Sequence, residues 1–437
     1  MEQLELIPDT RSLFEKLCSV EYRRQGFRAV KANRGSPGID GVRISEFEER
    51  LDEELAHLKK ELEGWSYEPK PVRRVEIPKP GGSGVRLLGV PCIRDRAVQA
   101  TLKLLLEPII DPYFSANSYG FRPGRSQRQA VEAAREIVRR GKGYVVDIDL
   151  SKFFDRVHHD RLIARLKGFI EDVRILRIVG MTLRSGVMVE GVVEETEEGT
   201  TQGSPLSPLL SNVVLDELDK ELERRGLEFC RFADDCNIFV GSKKAAERVM
   251  SSISRFIEKK LRLKVNQEKS KVAPSRYVKF LGMTIIAGTL AISTQSIQRA
   301  MDKAKELTPR GTHLTHERAM EAINKWYAGW AGYYEMTQYP RQLRRIEAHV
   351  RRRLRARIVD QQKNRRNLRK LLVKRGIPRR RASAAAYSHR KRWALSRTRA
   401  VEQAFPNRWF IKNLGQIVRS EDKLPHWFGV DRSIKMT

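Results

Sequence analysis

Two adjacent aspartates, Asp234 and Asp235, stand where an apolar β-hairpin turns. The strand-like segments 227–232 and 236–240 flank them, Phe232 before and Ile238-Phe239-Val240 after. Acidic pairs in turns are usually solvated turn formers. Between strands this apolar, however, two neighbouring negative charges repel without benefit to the fold, so the turn calls for a positive occupant. A third carboxylate, Asp149, ends another apolar strand over 144–150 and is placed to converge on the same point. Carboxylates with open positions left for water and phosphate are what Mg²⁺ prefers. Two such ions roughly 4 Å apart activate an attacking hydroxyl and stabilise the leaving oxygen in phosphoryl transfer. The expectation is a two-ion Mg²⁺ site, with Mn²⁺ as a substitute, in which Asp149 and Asp234 bridge the ions and Asp235 supports them. Asp147 shares a strand face with Asp149 and reads equally well as a supporting acid or a structural residue.

The charge indicates a polyanionic partner. Lys and Arg number 85 against 54 acids, a net +31. Residues 341–400 hold 23 Lys/Arg and only Glu347 and Asp360 as acids, a local +21 that leaves +10 for the rest. Such clustering suggests a dedicated nucleic-acid surface, with a merely solubilising basic coat as the plainer alternative. Arg344, Arg345, Arg351, Arg352, Arg353 and Arg355 are its candidate RNA contacts. No apolar run reaches the roughly 18–20 residues of a membrane span, and the acidic start MEQLELIPDTRSLFEKL does not resemble a signal peptide. Cys18, Cys92, Cys230 and Cys236 suit neither a zinc site nor a disulfide framework. A cytoplasmic protein with reduced thiols and no membrane association is expected.

A hydrophobic share of 40% in 437 residues supports more than one core. Helices are expected over 10–34 and 45–64, separated by the loop Gly35-Ser36-Pro37-Gly38-Ile39-Asp40-Gly41. Residues 72–77 alternate as a strand and turn through Pro78-Lys79-Pro80-Gly81-Gly82 into a second strand at 85–90. A helix over 94–107 is expected to close at Pro108 and Pro112. Helices at about 208–225 and 244–262 flank the acidic hairpin, giving alternating helices and strands. From about 295 only helical signals remain. The aromatics of 326–334 there are expected to pack as core more readily than to stack on bases.

These motifs resemble the palm of reverse transcriptases, specifically those of group II intron maturases. Phe232-Ala233-Asp234-Asp235 is similar to the family's Tyr-Ala-Asp-Asp signature, and Val146-Asp147-Ile148-Asp149-Leu150-Ser151-Lys152-Phe153-Phe154-Asp155 to its first aspartate motif. Gly199-Thr200-Thr201-Gln202-Gly203-Ser204-Pro205-Leu206-Ser207-Pro208 resembles the segment lining the nucleotide site. Ser118-Tyr119-Gly120-Phe121-Arg122-Pro123-Gly124 and Ser36-Pro37-Gly38-Ile39-Asp40-Gly41 are similarly distinctive, so the resemblance spans about residues 10–335 in order. It implies an α/β right-hand polymerase: fingers and palm with antiparallel sheet plus helices, then an all-α thumb and a small basic C-terminal region. The segments would be 1–140 (N-terminal extension and fingers), 141–290 (palm, with fingers interleaved), 291–395 (thumb, or maturase X domain) and 396–437 (DNA-binding).

The resemblance also implies roles for single residues. Gln202 would meet the incoming nucleotide, and Phe154 would lie beneath its sugar as a gate against a 2′-hydroxyl. Arg73, Lys79 and Arg86 would face the triphosphate, with Lys269 close by; a solvated strand face is the alternative for Arg73 and Arg86. Phe232 would pack near the primer, and Gly282, in Phe280-Leu281-Gly282, belongs to a primer-holding turn. Phe232 replaces the usual Tyr and Thr201 the usual Pro, neither removing a catalytic group. With no cysteine beyond Cys236, the chain resembles the compact group IIC type without the endonuclease domain.

The implied function is RNA-directed DNA synthesis from deoxynucleoside triphosphates on an RNA template with a DNA primer. Binding of group II intron RNA, assistance to its splicing, and mobility by target-primed synthesis on target DNA would accompany it, in a bacterial retroelement. The alternatives are a maturase acting mainly as a splicing cofactor, or an intron-like reverse transcriptase recruited to DNA repair or phage defence. The sequence is silent on oligomeric state.

Overall fold

The computed structural model describes residues 11–78, 85–189, 192–194, 198–200, 202–309 and 314–420. Lys79 and Thr201 lie outside them, as does the side chain of Arg86. The chain divides into two compact units, Met1–Pro274 and Ser275–Thr437. The expected segments 1–140 and 141–290 therefore share one unit up to Pro274.

The first unit opens with helices α1 (Leu13–Cys18), α2 (Val20–Ala32), α3 (Ile44–Glu49) and α4 (Leu51–Glu63). Each expected long helix is thus two. Ser19 is extended between α1 and α2, and Arg50 leaves helical geometry between α3 and α4, so α1 and α4 pack in the main core while Phe27 of α2 and Phe47 of α3 form a smaller cluster with Ile93 and Ala97. Strands β1 (Val72–Pro78) and β2 (Val85–Val90) form the expected antiparallel hairpin. Helix α5 (Ile93–Ile110) runs through Pro108 instead of stopping there. Burial of Leu105, Leu106 and Ile110 secures the last turn against the missing N–H bond. There follow α6 (Gln127–Arg139), β3 (Tyr144–Ile148), α7 (His159–Leu166), α8 (Val173–Leu183), β4 (Val187–Val189), β5 (Val192–Glu194) and α9 (Ser207–Arg224). The hairpin β6 (Glu228–Phe232) and β7 (Asp235–Val240), helix α10 (Lys243–Phe256) and β8 (Lys271–Pro274) complete the unit.

Two four-stranded sheets result. One has the order β2-β1-β4-β5, so a segment far along the chain joins the first hairpin. The other, β6-β7-β3-β8, is antiparallel throughout. Val146, Ile148 and Ile238 from that sheet pack with Leu210, Val213 and Leu218 of α9 and Ile253 of α10 in one buried core. Cys18, Cys92, Cys230 and Cys236 are all buried free thiols.

The second unit begins with a small hairpin, β9 (Met283–Ile286) and β10 (Thr289–Ile292). It continues in helices: α11 (Thr294–Glu306), α12 (His316–Tyr334), α13 (Pro340–Gln361), α14 (Arg365–Lys374), α15 (Arg379–Ala386), α16 (Arg392–Leu395), α17 (Arg399–Ala404) and α18 (Asn407–Leu414). Its core joins Met320 and Ile323 of α12 to Leu354 and Ile358 of α13 and Phe410 of α18. Among the described residues no helix is long and apolar enough to cross a membrane.

Candidate active site and nucleic-acid surface

Antiparallel register brings the ends of two aspartate-bearing strands together. Ile148 of β3 pairs with Cys236 of β7 as the last pair of that ladder, with Asp149 following Ile148 and Asp235 preceding Cys236. Asp147 lies opposite Asn237 within the ladder. Asp147 also stands opposite Lys271 of β8. Asp234 occupies the two-residue turn between Phe232 and Asp235. Asp234 and Asp235 are exposed and Asp149 is half-buried.

Among the described residues no group of three or more His, Cys, Asp or Glu side chains stands ready to hold a metal ion. Asp149, Asp234 and Asp235 do not form such a group. Carboxylates without a cation between them repel. Mg²⁺ is commonly held by one or two carboxylates, with water and substrate phosphate completing the shell. The donors present fit that kind of ion and no thiolate- or imidazole-seeking one.

Asp149 is fixed through its backbone. Its N–H donates to Ser270 Oγ at 3.0 Å, and its carbonyl accepts the Asn266 N–H at 2.8 Å. Asn266 Oδ1 in turn accepts the N–H groups of Glu268 and Lys269, so exposed Lys269 rides on a short turn clamped to the aspartate.

The aspartate turn has its own support. Ala233 sits in the left-handed region at φ +57°, which costs a non-glycine residue about 1–2 kcal/mol. Gly120 packs directly against it: a Cβ there would lie 2.1 Å from the Ala233 nitrogen. The fully buried Arg231 donates to the Ala233 carbonyl at 2.9 Å and pairs with buried Asp219 at 2.6 Å. Burial works against the guanidinium charge, but the adjoining Asp219 carboxylate outweighs it and holds Arg231 above its ordinary range. Burial likewise pushes Asp219 up while Arg231 pulls it down, the net being upward. The guanidinium itself keeps its proton.

Sequence reading missed Gly120 as a seat for the turn, and it missed Arg231 and Asp219. A signal existed for the last two. Asn212, Asp216 and Asp219 are polar residues at helical spacing on the buried side of α9, and Arg231 is the cation in an apolar strand.

A cleft of about 670 Å³ has walls that include Phe154, Gln202, Gly203, Phe121 and Leu88, with none of Asp149, Asp234 and Asp235 among its lining residues. Backbone bonds hold its parts together. Thr200 N–H donates to the Phe154 carbonyl at 2.6 Å, and Gly89 N–H of β2 donates to the Gln202 carbonyl at 2.8 Å. Buried His159, missed from sequence, bonds the Gly199 carbonyl through Nε2 at 2.6 Å. Because that oxygen only accepts, Nε2 carries the hydrogen; burial lowers the imidazole pKa against the raising effect of this bond. Phe154 is half-buried with its ring edge-on to Phe153. Arg73 is half-buried and donates from Nε to the Pro37 carbonyl at 3.2 Å, so it braces the 35–41 loop. Arg96 Nη2 bonds the neighbouring Ser36 carbonyl in the same loop.

In the second unit Phe280 and Met283 exchange backbone bonds around Leu281 and Gly282, both at positive φ. Tyr333 Oη donates to the Leu281 carbonyl at 2.7 Å, and a Cβ on Gly282 would meet Tyr334 Oη at 2.4 Å. The aromatic stripe of α12 therefore divides its work. Tyr327 is buried core and bonds Glu347, whereas Tyr333 and Tyr334 fasten this turn.

The six arginines expected to meet RNA differ in exposure. Arg344 and Arg345 are exposed, and Arg352 is half-exposed with its guanidinium 3.9 Å from the Trp393 ring centroid. Arg351, Arg353 and Arg355 are buried. Arg353 bonds Thr308 just past the end of α11, and Arg355 bonds the Phe405 carbonyl just past α17. Arg351 reaches Gln416. Cations at helix C-termini satisfy orphan carbonyls and the macrodipole, so part of the charge run serves packing. Exposed cations gather instead on α14 and α15, at Arg365, Arg366, Arg369, Lys370, Arg379, Arg380 and Arg381.

Residues 77–285 match the family described as reverse transcriptase (RNA-dependent DNA polymerase), and residues 297–376 match the group II intron maturase-specific domain. Protein YkfC of Escherichia coli (strain K12) is 32% identical over 301 residues, covering 60% of this chain and 78% of YkfC. The group II intron-encoded protein LtrA of Lactococcus lactis subsp. cremoris is 26% identical over 324 residues, 59% of this chain and 54% of LtrA. The chain thus spans about half of LtrA's length. Among solved structures, a chain of a partial Cas6-RT-Cas1–Cas2 complex aligns at 27% identity with a TM-score of 0.38, covering 57% of this chain and 43% of that one. The chain belongs to the reverse transcriptases that carry a group II intron maturase-specific domain.

Proposed function

We propose that the chain copies RNA into DNA by extending a DNA primer with deoxynucleoside triphosphates, and that it also grips group II intron RNA and assists its splicing and mobility on target DNA. The observation that supports the polymerase reading is the β3–β7 register, whose last pair, Ile148 and Cys236, adjoins Asp149 and Asp235, with Asp234 in the neighbouring turn, together with a cleft lined by Phe154 and Gln202. Asp149 and Asp234 would hold two Mg²⁺ ions, which when bound lower the pKa of the primer hydroxyl and offset charge on the departing pyrophosphate. The chain's own groups do the positioning. The Phe154 ring occupies the space a ribose 2′-hydroxyl would need. Gln202, anchored through its carbonyl to β2, orients the nucleotide over that ring. Arg73, Lys79, Arg86 and Lys269 supply positive charge for the triphosphate. Phe232 and the turn at Gly282 steady the primer.

The maturase part of the reading rests on the domain match and on the exposed cations of the second unit. Changing Arg365, Arg366, Arg369 and Lys370 together to Gln should weaken RNA binding and reduce the slope of log K against log salt by roughly 3. An unchanged slope in filter-binding titrations from low to high salt would place the RNA surface elsewhere.

The polymerase reading is tested by supplying a structured RNA template, an annealed DNA primer and all four deoxynucleotides, with and without Mg²⁺. Full-length complementary DNA that requires the ion is expected. Tight binding of the same RNA without any extension would leave the splicing-cofactor reading in its place.

A further inference from the structure

We infer that Arg231 is a positioning residue for the aspartate turn, fixing the direction of Asp234 and Asp235 and tying that turn to the helix that begins at the nucleotide loop. The inference rests on the polymerase reading and deepens it. All five guanidinium N–H groups are used. Nε and Nη2 grip Asp219 at 2.7 and 2.6 Å; Nη1 donates to Asn212 Oδ1 and to the Ala233 carbonyl, both at 2.9 Å; Nη2 also donates to Ser118 Oγ at 2.8 Å. A planar fork engaged at five points has no rotational freedom left.

Three pieces of chain meet on it. Asn212 and Asp219 lie on α9, whose first residue, Ser207, follows the Gly199–Leu206 loop that carries Gln202. The segment 117–120 lies along the outer edge of β6: Arg231 N–H donates to the Asn117 carbonyl and Tyr119 N–H to the Arg231 carbonyl. Asn212 Nδ2 donates to the Gly120 carbonyl at 2.9 Å, and Gly120 is the residue whose missing side chain leaves room for Ala233. The third piece is the turn itself, whose left-handed Ala233 would relax without a grip on its carbonyl.

Stability alone does not call for this arrangement, since a packed apolar pair of similar volume is often as stable as a buried ion pair. What an apolar pair lacks is a directional bond to the Ala233 carbonyl. Groups that orient metal ligands from behind typically change metal affinity about 10–100-fold when removed.

The test compares wild type with Arg231→Lys, which keeps the charge beside Asp219 but loses the fork, and with the double variant Arg231→Met/Asp219→Leu, which removes the pair without stranding a charge. Three readouts are taken on the full chain with RNA template and primer bound. They are Mn²⁺ affinity by electron paramagnetic resonance without nucleotide, hydrogen exchange of the peptide spanning 230–236, and single-turnover extension resolved into maximal rate and nucleotide KM. Folded double variant is expected to bind Mn²⁺ about tenfold more weakly or worse, to exchange faster in that peptide, and to lose rate with little change in KM. Wild-type Mn²⁺ affinity and exchange in the folded double variant would overturn the inference. Should the double variant not fold, Arg231→Lys and Gly120→Ala are read the same way, the latter displacing the turn from its seat without touching the ion pair. Wild-type Mn²⁺ affinity in both would also overturn it. Asp234→Ala serves as the control. If the wild type does not extend primers, the polymerase reading fails; if it does and Asp234→Ala does not, while the Arg231 variants behave as wild type, only the positioning role fails.

Discussion

Asp234→Ala should lower single-turnover primer extension on an RNA template by about 10³-fold or more, equivalent to about 4 kcal/mol of transition-state stabilisation. RNA affinity and thermal stability should stay close to wild type. Asp234 is an exposed turn residue, and substitutions at such sites usually cost within about 0.5 kcal/mol of stability. The proposed role is to present a carboxylate to the metal ions, from a turn whose left-handed Ala233 is packed on by Gly120 and bonded by Arg231. Asp149→Ala should have a comparable effect, because Asp149 supplies the other expected bridging ligand. Asp235→Ala should be milder, reflecting its supporting role. Extension retained in Asp234→Ala would remove the metal-site argument altogether.

Phe154→Ala should relax sugar selection by about 10–200-fold, measured as the ratio of incorporation efficiencies for deoxynucleotides and ribonucleotides on one template. The effect should come mainly from faster ribonucleotide use. The ring is half-buried against Phe153 and lines the same cleft as Gln202, while Thr200 N–H locks its carbonyl. Removing the ring therefore opens space where a 2′-hydroxyl would collide, and the backbone path stays tied. Phe154→Val, with a smaller opening, should fall between the two. Unchanged discrimination in both variants would separate Phe154 from the sugar.

Much of this site was legible in the sequence because strand chemistry is local. Apolar runs over 144–150, 227–232 and 236–240 mark three strands with the three aspartates at their ends, and the observed register pairs those strands. The 72–90 hairpin was equally readable from alternation and a Pro/Gly turn. Legibility ended where long-range contacts decide. Gly120 is over a hundred residues from Ala233, and only the folded chain shows that its missing side chain seats the turn. Arg353 and Arg355 looked like surface charge because an arginine's role depends on which carbonyls lie near it. Here those are the ends of α11 and α17. Pro108 signalled a helix end, and tertiary burial of Leu106 and Ile110 overrode it.

Template direction is the property at the centre of the account, and a homopolymer assay measures it most directly. Given poly(rA) annealed to oligo(dT), the chain should incorporate thymidine nucleotides in long runs and reject the other three deoxynucleotides. Switching the template to poly(rC) with oligo(dG) should switch the preference to deoxyguanosine. Incorporation indifferent to the template base, or none on RNA while DNA templates are copied freely, would contradict an RNA-directed DNA polymerase.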